Sequence, residues 1–151
     1  THLLPHLIDA FPQVRIVFNH LAVMPGVGKF SLDALGRPMV DTVMPPPTRF
    51  VSQNLSRYEN VTVLVSGHTA FSKEPYPYED LKTWHTSLLT RYGAERLMWA
   101  TDFPWIMEDP GYGKLTEIVG HMYPEISSAD RDAIMGGTAR RFLRFPRTDS
   151  P

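Results

Sequence analysis

The sequence predicts an α/β fold built on parallel strands, and three observations predict it. Val14 to Asn19, Val61 to Val65 and Leu97 to Ala100 are short, largely apolar runs. Such runs suit strands buried on both faces, as parallel strands are. Stretches with apolar residues at helical spacing separate them, so each strand returns through a helix and the next runs parallel to it. Each run also stops at a polar residue: His20 after the first, Ser66-Gly67-His68 after the second, Thr101-Asp102 after the third. In parallel α/β architectures the carboxyl ends of the strands face the ligand crevice.

The third run marks its end most sharply. Phe103-Pro104-Trp105 follows Asp102 directly, and a proline cannot donate to a strand ladder, so the strand stops about there. A carboxylate followed by two aromatic residues and a proline suits a metal ligand beside a substrate wall. His20 occupies the equivalent place after Val14 to Asn19. His68, after the turn-forming Ser66-Gly67, is a candidate substrate contact, and so are Phe103 and Trp105.

The elements follow in order. Leu3, Leu4, Leu7, Ile8 and Phe11 share one helical face, and Pro5 and Pro12 confine that helix to a start near Leu4 and an end before Pro12. The stretch from Val23 to Pro47 is rich in Gly and Pro and holds no period, so it reads as a long loop over the mouth of the site. Phe50, Val51, Leu55 and Tyr58 predict a helix ending near Glu59. Leu81, Trp84, Leu88, Leu89 and Tyr92 make the buried stripe of another, with Gly93 as its left-handed end. Tyr112, Leu115, Ile118, Val119 and Met122 predict a helix closed by Pro124. Ser127 or Ser128 caps a further one, with Asp130 in its first turn and Gly136-Gly137 as its break.

Composition narrows the function. Fifteen Lys and Arg against sixteen Asp and Glu give a net charge of −1. Without a basic stripe, that balance argues against nucleic acid or an anionic membrane as partner. No apolar run is long enough to span a bilayer, and no signal peptide opens the chain, so the expected location is cytoplasmic. Cysteine is absent, which excludes disulfides and thiol catalysis. No Gly-rich turn follows a strand, which disfavours a doubly wound nucleotide-binding domain.

Arg96 to Trp105, with its Thr-Asp-Phe-Pro core, resembles the last strand of the amidohydrolase-related family of metal-dependent (β/α)8 enzymes. Phe11 to Leu21 resembles the family's sixth strand with its histidine. Asn60 to Gly67 resembles the seventh, and Ala129 to Phe142 the closing helices. The resemblance implies a partial TIM barrel: strands six to eight with their helices, near 14–19, 61–66 and 96–101. Residues 1–151 are then the carboxyl-terminal part of one barrel domain, because a whole barrel needs about 250 residues.

The resemblance also implies a divalent metal, zinc being the first expectation. Asp102 is its ligand and can also take a proton from the attacking water, and His20 is either a second ligand or a group acting on water or substrate. The family's remaining ligands, a His-x-His pair and a fifth-strand histidine, have no counterpart in this chain. The implied reaction is hydrolysis of a lactone, ester or amide by a metal-activated water. The alternatives are non-oxidative decarboxylation of an aromatic or muconate-type acid, and a catalytically inactive fragment or assembly subunit. The expected partners are a small-molecule substrate, together with a homo-oligomeric copy or the missing amino-terminal part of the barrel.

Overall fold

A computed structural model of the protein describes residues 3–24, 26 and 28–146. The elements run α1 (Leu3–Ala10), β1 (Ile16–Phe18), β2 (Lys29–Leu32), β3 (Pro38–Asp41), α2 (Arg49–Leu55), β4 (Val61–Val65), α3 (His68–Phe71), α4 (Lys82–Tyr92), β5 (Leu97–Trp99), α5 (Tyr112–Leu115), α6 (Ile118–Met122), α7 (Ser128–Asp132) and α8 (Thr138–Leu143). The three predicted strands form one parallel sheet in the order β1-β4-β5. Among the described residues the sheet does not close into a barrel.

Register sets the two faces of the sheet. Ile16 pairs with Val61 and Phe18 with Val63, while Val63 pairs with Leu97 and Val65 with Trp99. Partnered residues point to the same face, because side chains alternate along a strand. Val61, Val63, Val65 and Leu97 are all 0% exposed and share one core with Trp84, Leu88, Ile118 and Ile134. The other face carries Val17, Thr62, Leu64 and Met98, and Val17 is 40% exposed. The expectation of burial on both faces therefore holds for β4 and not for β1. The edge strand has one neighbour among the described residues, which leaves Val17 partly exposed.

The same shortage shows on α1. The helix forms where expected and buries Ile8, but Leu3, Leu7 and Phe11 from its apolar stripe remain exposed. Its pattern was written for more partners than the described residues supply.

Two predicted irregularities turn out to be ordered. The stretch 23–47 is not a loop without internal structure: β2 and β3 pair antiparallel, Lys29 with Asp41 through Leu32 with Pro38. The turn is held by Asp33, whose carboxylate accepts the backbone N–H of Leu35 at 2.9 Å and of Arg37 at 2.8 Å. Gly36 supplies a φ of 75°. An Asp that bonds the backbone two residues on, with a Gly in the turn, is a hairpin signal that the surrounding prolines obscured.

At the other end, Gly136-Gly137 does not break its helix. The chain widens into a π-turn over Ala133–Gly137 and continues as α8. Thr138 Oγ1 donates to the Ala94 carbonyl at 3.1 Å and anchors the passage. The start is as predicted, since the Ser127 hydroxyl accepts from the Asp130 N–H at 3.1 Å. Gly93 ends α4 at φ 71°, ψ 161°, outside the expected left-handed helical geometry.

Arg96 locks the sheet to its helices. It donates to the carbonyls of Ser56 at 2.8 Å, Tyr58 at 3.0 Å and Tyr92 at 2.9 Å, joining the ends of α2 and α4 to the start of β5. Among the described residues no helix is long and apolar enough to cross a membrane. Packing makes unequal demands on individual leucines. Leu97→Ala, at a fully buried position, should cost about 2–5 kcal/mol. Leu3→Ala, at a position 78% exposed, should stay within about 0.5 kcal/mol. Urea unfolding of the two variants measures the contrast.

Candidate active site

The carboxyl end of β1 carries an unusual backbone. After the extended Asn19, the residues His20, Leu21 and Ala22 take φ values of 50°, 55° and 52°. Left-handed backbone costs a non-glycine residue roughly 1–2 kcal/mol, and it persists where surrounding structure over-determines it. Here the surroundings are visible. Trp84 Nε1 donates to the Leu21 carbonyl at 2.9 Å, and Ser52 Oγ donates to the Ala22 carbonyl at 2.6 Å, both in the core. Leu21 and Ala22 are themselves buried. This bend turns His20 toward the neighbouring strand ends.

The other strands meet it there. His20 Nδ1 lies 3.1 Å from Ser66 Oγ, at the end of β4, and 3.9 Å from Asp102 Oδ1, after β5. Asp102 also has a positive φ, 62°, and its carbonyl accepts the Trp105 N–H at 3.2 Å. Gly67 completes the arrangement. Its φ is 77°, and a Cβ there would come within 2.9 Å of His20 Nδ1. Glycine is thus needed twice, for the backbone conformation and for the approach of the imidazole. The three adjacent strands each bring one group to a common point: His20, Ser66 and Asp102. The sequence marked the first and the last. Ser66 stands next to a glycine at a strand end, the one signal its sequence context offers, and by itself that context marks only a strand break.

The donor types suit a divalent metal, since imidazole and carboxylate are its usual ligands. The number does not: among the described residues no cluster of three or more His, Cys, Asp or Glu side chains could hold an ion. His20 Nδ1 faces Ser66 and stands 3.9 Å from Asp102, which places the two candidate groups side by side.

The sequence profile of the amidohydrolase family matches residues 2–145, nearly the full length. The chain belongs to the amidohydrolase family. Among solved structures it is similar to a zinc-bound amidohydrolase from Burkholderia multivorans, with 23% identity, a TM-score of 0.67, and coverage of 96% of this chain and 50% of that one. It is also similar to a candidate 2-pyrone-4,6-dicarboxylic acid hydrolase from Pseudomonas putida, with 24% identity, a TM-score of 0.63, and coverage of 94% and 48%. A dihydroxybenzoic acid decarboxylase from Polaromonas sp. JS666, solved with manganese and 2-nitroresorcinol, matches at 18% identity and a TM-score of 0.55, with coverage of 95% and 37%. At these identities the likeness establishes the fold. The chain spans about half the length of the solved amidohydrolases it matches, or less. No curated protein matches it.

The remaining residues expected at the site are placed differently from one another. Phe103 is 68% exposed and Trp105 39%, both on the loop that leaves Asp102. His68 is 2% exposed and lies in the core of this amidohydrolase chain rather than beside His20 and Asp102 as a substrate contact. Its ring stacks on His85 at 5.1 Å and on Tyr78 at 5.9 Å. His85 Nδ1 pairs with the Tyr123 hydroxyl at 2.9 Å, whereas Nε2 of both histidines has no protein partner. Burial lowers the His68 pKa to about 4. Burial, and then the neighbouring His68, puts that of His85 well below its usual value. Both rings are therefore neutral near pH 7. His68 follows a strand end as His20 does, which suggests substrate contact, and packing encloses it instead.

Two outcomes follow. Gly67→Ala should destabilise by about 1–2 kcal/mol through its left-handed backbone and push His20 away from Ser66; the His20 ring resonances in NMR would report the shift. The second concerns pH. Unfolded histidines titrate near 6.5, so between there and pH 4 the unfolded state binds more protons than the folded one. Stability is full above pH 6.5 and falls with decreasing pH by about 1.4 kcal/mol per pH unit for each such histidine. Urea midpoints across this range should decline, and His68→Phe should flatten the decline.

Proposed function

We propose that this chain supplies strand-end catalytic groups of a metal-dependent hydrolase acting on a small organic lactone, ester or amide. The observation that carries the reading is the meeting of His20, Ser66 and Asp102 at the carboxyl ends of three adjacent parallel strands, with Gly67 leaving room for the imidazole. Strand ends of this kind bear catalytic residues in barrel enzymes. Residues 1–151 form part of one barrel domain in this reading, and the rest of the ligand set comes from outside them.

Asp102 would bind a divalent metal, zinc or manganese as in the similar structures, jointly with donors outside this chain. Such an ion supplies Lewis acidity and lowers the pKa of a water to about 7. The chain's own groups do the rest. Ser66, 2% exposed, fixes the His20 ring through Nδ1. That leaves Nε2 as the nitrogen available to take a proton from water or pass one to a leaving group. Asp102, 3.9 Å away, stabilises the imidazolium once the proton has moved. Its side chain is 18% exposed against 42% for His20, so the carboxylate sits deeper than the group that exchanges protons. Phe103 and Trp105 stand beside Asp102 as an apolar wall for a flat substrate.

The test is to assay the complete enzyme, loaded with zinc or manganese, on 2-pyrone-4,6-dicarboxylate and on dihydroxybenzoate. Hydrolysis releases a proton from the lactone, whereas decarboxylation releases carbon dioxide from the benzoate. Lactone turnover without carbon dioxide release supports the reading, and the converse replaces it with decarboxylation. Asp102→Asn should abolish turnover with the fold intact, and His20→Asn should reduce kcat by about 10²–10⁴-fold, the range for loss of a general acid or base. The chain by itself should bind no stoichiometric zinc and turn over nothing, because a catalytic zinc takes three protein ligands. Elemental analysis of the purified chain checks this.

A further inference from the structure

The β2–β3 hairpin has no role in the chemistry above, yet it is fastened at both ends to the loops that carry the site. At its base, Lys73 Nζ, in the segment after α3, donates to Asp41 Oδ1 at 2.7 Å. At its tip stands Arg37. The Arg37 Nε donates to Asp33 Oδ2 at 2.6 Å, which holds the guanidinium in place. Its Nη1 then reaches across 72 residues of sequence and donates to the Asp109 carbonyl at 2.6 Å. Asp109 closes the loop that starts at Asp102. The hairpin thus bridges from the loop after β4 to the loop after β5.

We propose that Arg37 is a positioning residue for the site: it straps the hairpin to the loop following Asp102 and thereby sets where Trp105 stands.

Exposed ion pairs are ordinarily worth little, and the geometry shows why this contact differs. The Arg37 side chain is 16% exposed and that of Asp33 20%. The carboxylate of Asp109 is 65% exposed and lies 3.6 Å from Nη1, so it adds little. The backbone carbonyl is the acceptor that matters, and a charge-assisted bond to a carbonyl is stronger than a neutral one. Because the acceptor is main chain, the strap holds the path of the loop rather than one side chain.

Two buried residues, Ile106 and Pro110, anchor the loop to the core, and the rest of it lies outside. Between Asp102 and Gly111 its own bonds are short-range turns: Trp105 N–H to the Asp102 carbonyl, Met107 N–H to the Pro104 carbonyl, and Gly111 N–H to the Ile106 carbonyl. Ile106 is buried, but Phe103, Trp105 and Met107 are exposed. Leu35, Arg37, Pro104, Trp105, Met107 and Glu108 line a groove of about 210 Å³ between hairpin and loop. Tyr78, in the segment between α3 and α4, is buried, and besides burial its phenol feels the charges of Asp109 and Arg37. The groove wall that includes Trp105 is therefore made by two loops that Arg37 joins. Its consequence for substrate rests on the functional reading above. The strap itself is tested without turnover, so failure of one is distinguishable from failure of the other.

Labelling with 5-fluorotryptophan gives one ¹⁹F signal for each of Trp84, Trp99 and Trp105, assigned by Trp105→Phe. In Arg37→Ala, the Trp105 signal should move toward the position of free solvent-exposed indole. Amide exchange at residues 105, 107 and 111 should rise tenfold or more, with Trp84 and the β4 amides unchanged. Arg37→Lys should recover at least part of both effects, because an ammonium can still reach the carbonyl. Asp109→Asn should behave as the unaltered protein, because the carbonyl remains. An unmoved Trp105 signal with unchanged exchange in Arg37→Ala overturns the proposal, as does an Asp109→Asn variant as perturbed as Arg37→Ala. If Arg37→Ala loses its fold, Asp33→Asn decides. That variant keeps the guanidinium but releases its anchor, and a change confined to Trp105 and its loop supports the strap while no change overturns it.

Discussion

The site depends on one strained turn and the two buried hydrogen bonds that maintain it. His20, Leu21 and Ala22 sit in a conformation that L-residues avoid, and the carbonyls of Leu21 and Ala22 are held by Trp84 and Ser52. Two hydrogen bonds worth about 1 kcal/mol each would not by themselves outweigh three left-handed residues. The burial of Leu21, Ala22 and Trp84 in one core adds to them. Core packing is thus converted into the aim of a single imidazole, as expected where strain is found at functional positions.

The same core separates two histidines that look alike in the sequence. His20 and His68 each follow an apolar strand, yet one is part-exposed at the strand ends and the other is enclosed with His85, Tyr78 and Tyr123. Enclosure makes His68 neutral and leaves one of its ring nitrogens without a partner, a cost that hydrophobic packing around it must offset. The candidate site and the buried cluster are consecutive in the chain, Gly67 against the His20 ring and His68 beneath. Ordinary stability and the geometry of the site are therefore coupled through a single turn.

The exposed apolar residues of α1 and β1 belong to the same picture. Leu3, Leu7, Phe11 and Val17 are patterned for burial but remain partly or largely exposed among the described residues. Unpaired strand edges with apolar surface favour association.

The sequence by itself determined the parallel α/β class, the places of β1, β4 and β5, and the two outer groups of the site, His20 and Asp102. These follow from local rules: apolar runs make buried strands, prolines end them, and polar residues at their ends face the crevice. It also carried the family, through motifs whose order matters more than any one of them. It did not disclose Ser66 as the partner of His20, the enclosure of His68, or the passage of α7 into α8 through a π-turn across two glycines. The hairpin was hidden among prolines and glycines that read as a long loop. Each of these depends on contacts between residues distant in sequence: Ser66 lies 46 positions from His20, Thr138 44 positions from Ala94, and Arg37 72 positions from Asp109. A residue's type shows what bonds it can make. Which bonds it does make is decided only when the strands are in register, because packing then selects which polar groups meet and which are enclosed.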